Sequence, residues 1–377
     1  SYYYYILTSF FGDVPFYMEY VETDEIMDRI GKLGRMSAVE TRQTLIDMLK
    51  QYVPTLPQVR TVDQPKNNCG AAMGWMMIAK LASWNKDWDT VIYACEHLEA
   101  MYGDLAQYPY SDVMFRNKNT PESIFEINHE FVEGGIDYTT PSSLAISSVL
   151  MPYPRESGTA IYDGVTIEEL GDQATGYTPL RPTSYMKTVV WPSGTGDIRR
   201  DYNFISGYNG VNFKGSSVWM GPKFWCPNLY KRYDNNNYKI FRFADVLLMH
   251  SELTETVDGI NQVRARVGLA PVGGYSFEAL EKERRHELAF EAIRWTDMRR
   301  YGKEYAKAAL ATQLGGTIRN AAGAEQPMKD QGPGYVARYE ATYGFRPFPQ
   351  SEISLSNGAL KQNAGWTGAD SKYAGWK

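Results

Sequence analysis

The side chains with the most chemical reach in this chain are rings. Trp191, Tyr202, Tyr208, Trp219, Trp225 and Tyr230 fall in one stretch that lacks helical periodicity. Arg199, Arg200, Asp201, Asn203, Asn209, Asn228 and Arg232 lie among them. Loops run over protein surfaces. Flat rings set in a loop therefore either pin it to a scaffold or face a ligand. Tyr and Trp combine a large apolar face with a polar handle, and amides and guanidinium groups nearby can bond a ligand's polar atoms. For a single ring the packing role competes directly with the ligand role. Cys226, between Trp225 and Pro227, reads as a small residue at a tight corner.

Bond-making chemistry finds less support. His286-Glu287 opens like a zinc-protease helix, but the second histidine would fall at Phe290 and the pattern fails. The Glu–Arg alternation over 283–291 reads instead as ion pairing along a helix. His97, His129, His250 and His286 are scattered. Two carboxylates could in principle hydrolyse a glycoside, yet nothing in the sequence frames such a pair. No nucleophile elbow, phosphate loop or Ser-His motif occurs. The expectation is a chain with no catalytic residues, no metal site and no cofactor.

Composition narrows the partners. Aromatic content is 14%, with 28 Tyr against 15 Phe, more ring polarity than core packing asks for. A net charge of −5 over 377 residues argues against a general nucleic-acid binder. Three cysteines at long spacings make neither a disulfide framework nor a zinc pattern, and Cys69 and Cys95 read as small core residues. No apolar run reaches the length of a membrane-spanning helix, and no signal peptide is visible. The chain opens without Met at SYYYYILTSFFGDVPFY, as though joined in mid-helix. The expectation is that an N-terminal part of a longer protein is absent.

The elements that must position the rings are mostly helices. Residues 1–11 read as the end of a buried helix stopped by GDVP. Residues 37–50 form a helix with Ser37 and Glu40 as a capping box, and Val39, Leu45, Ile46 and Leu49 on one face. Residues 67–102 form a helical hairpin, with Asn68 as a cap and NKDW (85–88) as the turn. Its Trp75, Ile78, Ala79 and Ala82, followed by Val91, Cys95 and Leu98, follow tetratricopeptide spacing. Residues 121–131 alternate as a strand. The pattern then dissolves from 135 to 236 into a loop-rich run of Pro, Gly and rings. Such long loops are functional or disordered, and disordered segments are poor in aromatics. Helices return at 240–255, 258–267 (Asp258 cap, Gly268 stop) and 277–301, before a polar, Gly-rich tail.

In order along the chain, YYYYILTSFFGDVPFY, AAMGWMMIAKLASWNKDW, FRFADVLLMHSEL, INQVRARVGL, EKERRHELAFEAIRWTDMRRYG and FRPFPQSEISLSNGALKQNAGW resemble the SusD/RagB family. The resemblance implies a mainly α fold: a tetratricopeptide-like helical hairpin scaffold with a large loop-rich portion and a few short β-strands. It is expected to form one domain over 1–377. The scaffold occupies 1–134 and 237–310, a ligand-binding loop portion 135–236, and an irregular C-terminal portion 311–377. It further implies a non-catalytic lipid-anchored protein on the extracellular face of the outer membrane, with an anchor outside this chain. Such a protein caps a SusC-like TonB-dependent transporter, sits beside other surface glycan-binding lipoproteins, and hands over an oligosaccharide. On that reading the stacking set is Trp191, Tyr202, Tyr208, Trp219, Trp225 and Tyr230, with Asn228 and Arg232 bonding hydroxyls. Three departures stand out: the missing N-terminal helices and lipidated cysteine, the short TETV link (254–257), and the tail TGADSKYAGWK after Trp366. An oligopeptide-binding member of the family, a helical-repeat interaction scaffold and a glycosidase remain as alternatives.

Overall fold

The computed structural model describes residues 1–60, 69–129, 161–162, 165–167, 182–213, 218–225, 236–319, 324–328 and 334–373. Helices dominate. The first five are α1 (Tyr2–Phe11), α2 (Asp24–Gly31), α3 (Ala38–Tyr52), α4 (Ala71–Asn85) and α5 (Trp88–Tyr102). The short α6 (Arg199–Asn203) lies in the loop-rich portion. It is followed by α7 (Phe243–Thr254), α8 (Asp258–Arg266), α9 (Phe277–Glu287), α10 (Arg294–Arg300), α11 (Lys303–Leu314), α12 (Tyr335–Ala341) and α13 (Gln350–Leu355). The tetratricopeptide-like hairpin is α4–α5. Asp87 caps α5 by accepting the Thr90 amide at 3.3 Å, and Lys86 turns the corner at φ 60°.

Helix α4 is the centre of the scaffold: Ala71 through Trp84 are all buried. It is wrapped by α3, α5 and α1, and α5 in turn packs on α7, and α7 on α8. Apart from Lys80, which pairs with Asp245 on α7, its buried side chains are apolar or small, as such a central place requires. Small residues make the close approaches. A Cβ on Gly74 would fall 2.3 Å from a Val53 methyl, and one on Gly259 would fall 2.2 Å from the Leu247 carbonyl oxygen. The first strand, β1 (Ser123–Ile127), pairs antiparallel with Tyr238–Arg242, so the segment expected to be helical from 240 is a strand until Arg242. Among the described residues four further short antiparallel pairings occur, one of them closed by the Asn209-Gly210 turn between Gly207–Tyr208 and Val211–Asn212. Its φ values of 49° and 78° are those of the turn that matches strand twist.

Several local expectations change in three dimensions. Ser37 makes no side-chain cap bond; the Ala38 amide is taken at 2.8 Å by Asp13 from the preceding turn. Leu45 and Ile46 are buried, but Val39 is exposed. Helix α4 begins after Gly70, and Asn68 lies outside the described residues. Cys95 is buried whereas Cys69 is exposed, because Cys69 precedes the helix instead of lying in it. Residues 277–301 are not one helix. The chain breaks between Glu287 and Arg294, with Phe290 and Ala292 at φ 61° and 63°. That break turns the buried carboxylate of Glu291 toward Arg242 and Lys223. The tail expected to be irregular carries α12, α13 and, ahead of them, a hairpin of Thr317–Arg319 with Glu325–Pro327.

Candidate functional site

The loop-rich portion is tied to the scaffold by buried charge. Arg199 on α6 is fully buried. Its guanidinium donates to Asp197 at 2.8 and 2.9 Å, to Glu283 at 2.6 Å and to Glu287 at 3.0 Å, the last two on α9. Glu287 also accepts from Arg242 at 2.6 Å and from Arg266. Arg242 reaches on to Glu122 at 3.0 Å and to Glu291 at 2.7 Å. Lys223, from the other end of the loop portion, closes on Glu291 at 2.5 Å. Burial pushes the Glu287 carboxyl upward, but three guanidinium groups around it hold it well below the usual range. Asp197 is treated the same way: burial raises it, while His286 and Arg199 together hold it low. The Glu–Arg pattern of 283–291 is therefore a clamp that seats the loop on α9.

The clamp decides where the rings go. Trp191 has no exposed surface; it lies 5.7 Å from the Phe204 ring and 5.1 Å from the His286 ring, centroid to centroid. His286 meets the Val190 carbonyl at 2.7 Å and Asp197 at 3.1 Å. Trp225 is also fully buried and donates its indole N–H to the Met220 carbonyl at 3.0 Å. Trp219, 6% exposed, shares a small core with Ile205, Phe213 and Trp225. These three indole faces are covered by protein, so in this arrangement they brace the loop. Tyr202 and Tyr208 are half-buried. Tyr202 stands edge-on to Tyr110 at 5.2 Å, and Tyr208 edge-on to Trp225 at 5.6 Å. Tyr230, Asn228, Arg232 and Cys226 lie outside the described residues. The described rings thus fall in separate small clusters of the loop portion, around Trp191, around Trp219 and Trp225, and around Tyr202 with Tyr110, and of these rings only the two tyrosines meet solvent in part.

Two concavities border this region. A polar depression of about 280 Å³ is formed by Ser193–Ile198 with Arg200 and Asp201. A more enclosed cavity of about 420 Å³ lies between Tyr185, Met186 and Val190 and the α9–α10 break, where Arg284, Leu288 and Phe290 line it. Among the described residues no group of three or more His, Cys, Asp or Glu is placed to hold a metal ion, and no helix is long and apolar enough to cross a membrane. The concavity that sequence reading missed is larger, at about 990 Å³, and is lined by Trp295, Tyr335 and Trp366. Its rings are spread over 72 positions in three separate elements. Rings recur near each position, as in YVARYEATYGF at 335–345, but nothing local ties the three segments together.

Residues 226–366 match the sequence profile of the SusD family (SusD_RagB). The SusD-like protein P25 of Formosa agariphila is 25% identical over 339 residues, which covers 79% of this chain. This chain spans 61% of that relative's length. Two solved structures share the fold over 97% of this chain and 76% of their own. One is surface glycan-binding protein A from Bacteroides uniformis, at 21% identity and TM-score 0.67. The other is surface glycan-binding protein A from Bacteroides thetaiotaomicron in complex with laminarihexaose, at 19% identity and TM-score 0.67. The resemblance read from the sequence holds. The C-terminal stretch carries the SusD family pattern, and the mainly helical, tetratricopeptide-like architecture is that of SusD-like proteins.

Proposed function

We propose that this SusD-like chain is the binding portion of a non-catalytic protein that captures an oligosaccharide at the bacterial surface. The observation that carries the reading is the likeness, over nearly the whole chain, to surface glycan-binding proteins, one of them holding laminarihexaose. The chemistry of the loop portion agrees with it. Tyr202 and Tyr208 offer partly open ring faces on a loop held rigid by the Arg199 clamp, and rigid rings lose little freedom when a sugar stacks on them. Trp191, Trp219 and Trp225 act behind them as bracing. Tyr230, Asn228 and Arg232, from the adjoining segment, complete the ligand set. On this reading the protein is held at the outer face of the outer membrane by a lipid anchor. It delivers its glycan to a TonB-dependent transporter of the SusC type.

Isothermal calorimetry against neutral and acidic oligosaccharides and short peptides tests the proposal. The expected result is saturable sugar binding, weakened about tenfold by Tyr208→Ala, the equivalent of about 1.4 kcal/mol. Binding of peptides alone would replace the glycan reading with oligopeptide capture. Shortened products recovered from the sugar would make the protein a hydrolase.

A further inference from the structure

Two irregular stretches of backbone meet at the enclosed cavity of about 420 Å³. One is Met186–Val190, which winds as a single π-turn; the Trp191 amide donates back five positions to the Met186 carbonyl at 2.8 Å. The other is the break after α9, with Phe290 and Ala292 in left-handed backbone. Neither is what an uninterrupted α-helix adopts. π-turns recur at functional sites, and left-handed non-glycine residues gather at ligand clamps. The pairs that Glu291 makes with Lys223 and Arg242 hold the break, and so fix one wall of the cavity.

The lining combines an apolar body with guanidinium groups. Met186, Val190, Leu288, Phe290 and Ile293 supply the first, and Arg284, Arg285 and Arg294 the second. Asp297 lines the cavity too, but Arg284 holds both its oxygens, at 2.8 and 3.0 Å. Arg285 and Arg294 share the single carboxylate of Glu281, at 2.7 and 2.8 Å. Once these pairs are made, two buried donors on neighbouring lining residues, Arg284 Nη1 and Arg285 Nε, have no hydrogen-bond acceptor among the described residues. A buried donor left without an acceptor is costly, and such a group in a native fold calls for an explanation. A carboxylate brings two acceptor oxygens and forms the strong, charge-assisted bonds that guanidinium groups favour. A volume near the bottom of the ordinary pocket range of about 300–1,000 Å³ suits one compact molecule better than a chain of sugars.

We propose that this cavity is a binding site for a small monocarboxylic acid with an apolar body, separate from the rings that take the glycan. The carboxylate bonds the unpaired donors of Arg284 and Arg285, and the body lies among Met186, Leu288 and Phe290. The site goes beyond the glycan reading and does not depend on it.

Calorimetry of the full chain with two acids and their amides provides the test: cinnamate and octanoate, each against the uncharged amide of the same body. At least one acid should bind saturably, and about tenfold or more tighter than its amide. Binding of cinnamate alone makes the body aromatic, and binding of octanoate alone makes it aliphatic. Arg285→Gln should weaken the acid about tenfold or more. Met186→Trp, which fills the cavity from a half-buried wall, should abolish binding, and Tyr208→Ala should leave it unchanged. Both altered cavity positions are only half-buried, and an unchanged thermal midpoint shows that each variant folds. The unaltered chain can already refute the site: no binding of either acid, or equal binding of acid and amide, would overturn it. Acid binding that survives both Arg285→Gln and Met186→Trp would place the acid elsewhere and overturn it too. Oligosaccharide binding should persist in Arg285→Gln, so that failure of this site and failure of the glycan reading are told apart.

Discussion

The scaffold and the loop portion both bury large rings, by opposite means. In α4 every residue from Ala71 to Trp84 is buried, and Trp75 meets mostly aliphatic and ring neighbours while its N–H is taken by Gln58 at 2.8 Å. Its order comes from periodicity and area. Fully burying a large apolar side chain contributes roughly 1.5–3 kcal/mol, and many such residues lie in one continuous core. The loop portion has small, separate cores around Trp191, Trp225 and Phe224. What holds them in register is Arg199, Lys223 and Arg242 reaching carboxylates on α9 and the break after it. Area is tolerant of small shifts, whereas buried ion pairs hold only in one geometry. A loop portion with many Gly and Pro is held in register by the second mechanism.

Single substitutions can break that contrast. Trp75→Ala and Arg199→Met should each cost about 3–5 kcal/mol, one by a cavity and the other by removing the one cation that Asp197, Glu283 and Glu287 share. Urea unfolding measures the size, and hydrogen exchange tells the mechanisms apart. The scaffold variant should lower protection across α4, α5 and α7 together. The arginine variant should open residues 186–225 first, while α4 keeps its protection. Equal, global loss in both would mean that loop and scaffold are one cooperative unit.

Acid should act first on the buried ion pairs, and one of them, Lys80 on α4 with Asp245 on α7, sits inside the scaffold core itself. Asp245 is fully buried; burial alone would raise it, but Lys80 and Arg284 beside it hold its carboxyl down at about 2. Its folded value lies below the unfolded value of about 3.9. The stabilisation it supplies is therefore complete above the unfolded value and is lost as pH falls toward 2. At neutral pH that amounts to about 2–3 kcal/mol. Asp245→Asn should lower the neutral-pH midpoint and flatten the acid limb of a stability profile between about pH 4 and pH 2. A parallel profile would show that the carboxylate is not the titrating group.

The smallest effect sharpens the comparison at its hinge. Ala292 sits at φ 63° in the break that turns Glu291 toward Arg242 and Lys223. A side chain in that region carries strain that glycine does not. Ala292→Gly should stabilise by about 1 kcal/mol, net of the greater freedom glycine has when unfolded. The change would be read as a rise in the urea midpoint with an unchanged slope.

Much of the scaffold is legible in the chain alone. Trp75, Ile78, Ala79 and Ala82 announce the packing face of a helical hairpin, NKDW announces its turn, and Gly12 and Gly268 end their helices at φ 73° and 75°. These are local signals, because period and capping depend on residues within a turn or two of one another. The placement of the rings was not legible. Whether Trp191 faces a ligand or His286 depends on Arg199 finding Glu283 84 positions away, and a ring's type says nothing of what will cover it. The break at Phe290–Ala292 was hidden for the same reason. Helical propensity runs through it, and only the distant Arg242 and Lys223 turn Glu291 out of line. The groove of Trp295, Tyr335 and Trp366 exists only once three segments meet. The sequence by itself determined the helical period, the glycine stops and the family pattern; tertiary structure decided the helix caps, which rings are covered and which line a groove, since burial is a property of neighbours that are far apart in the chain.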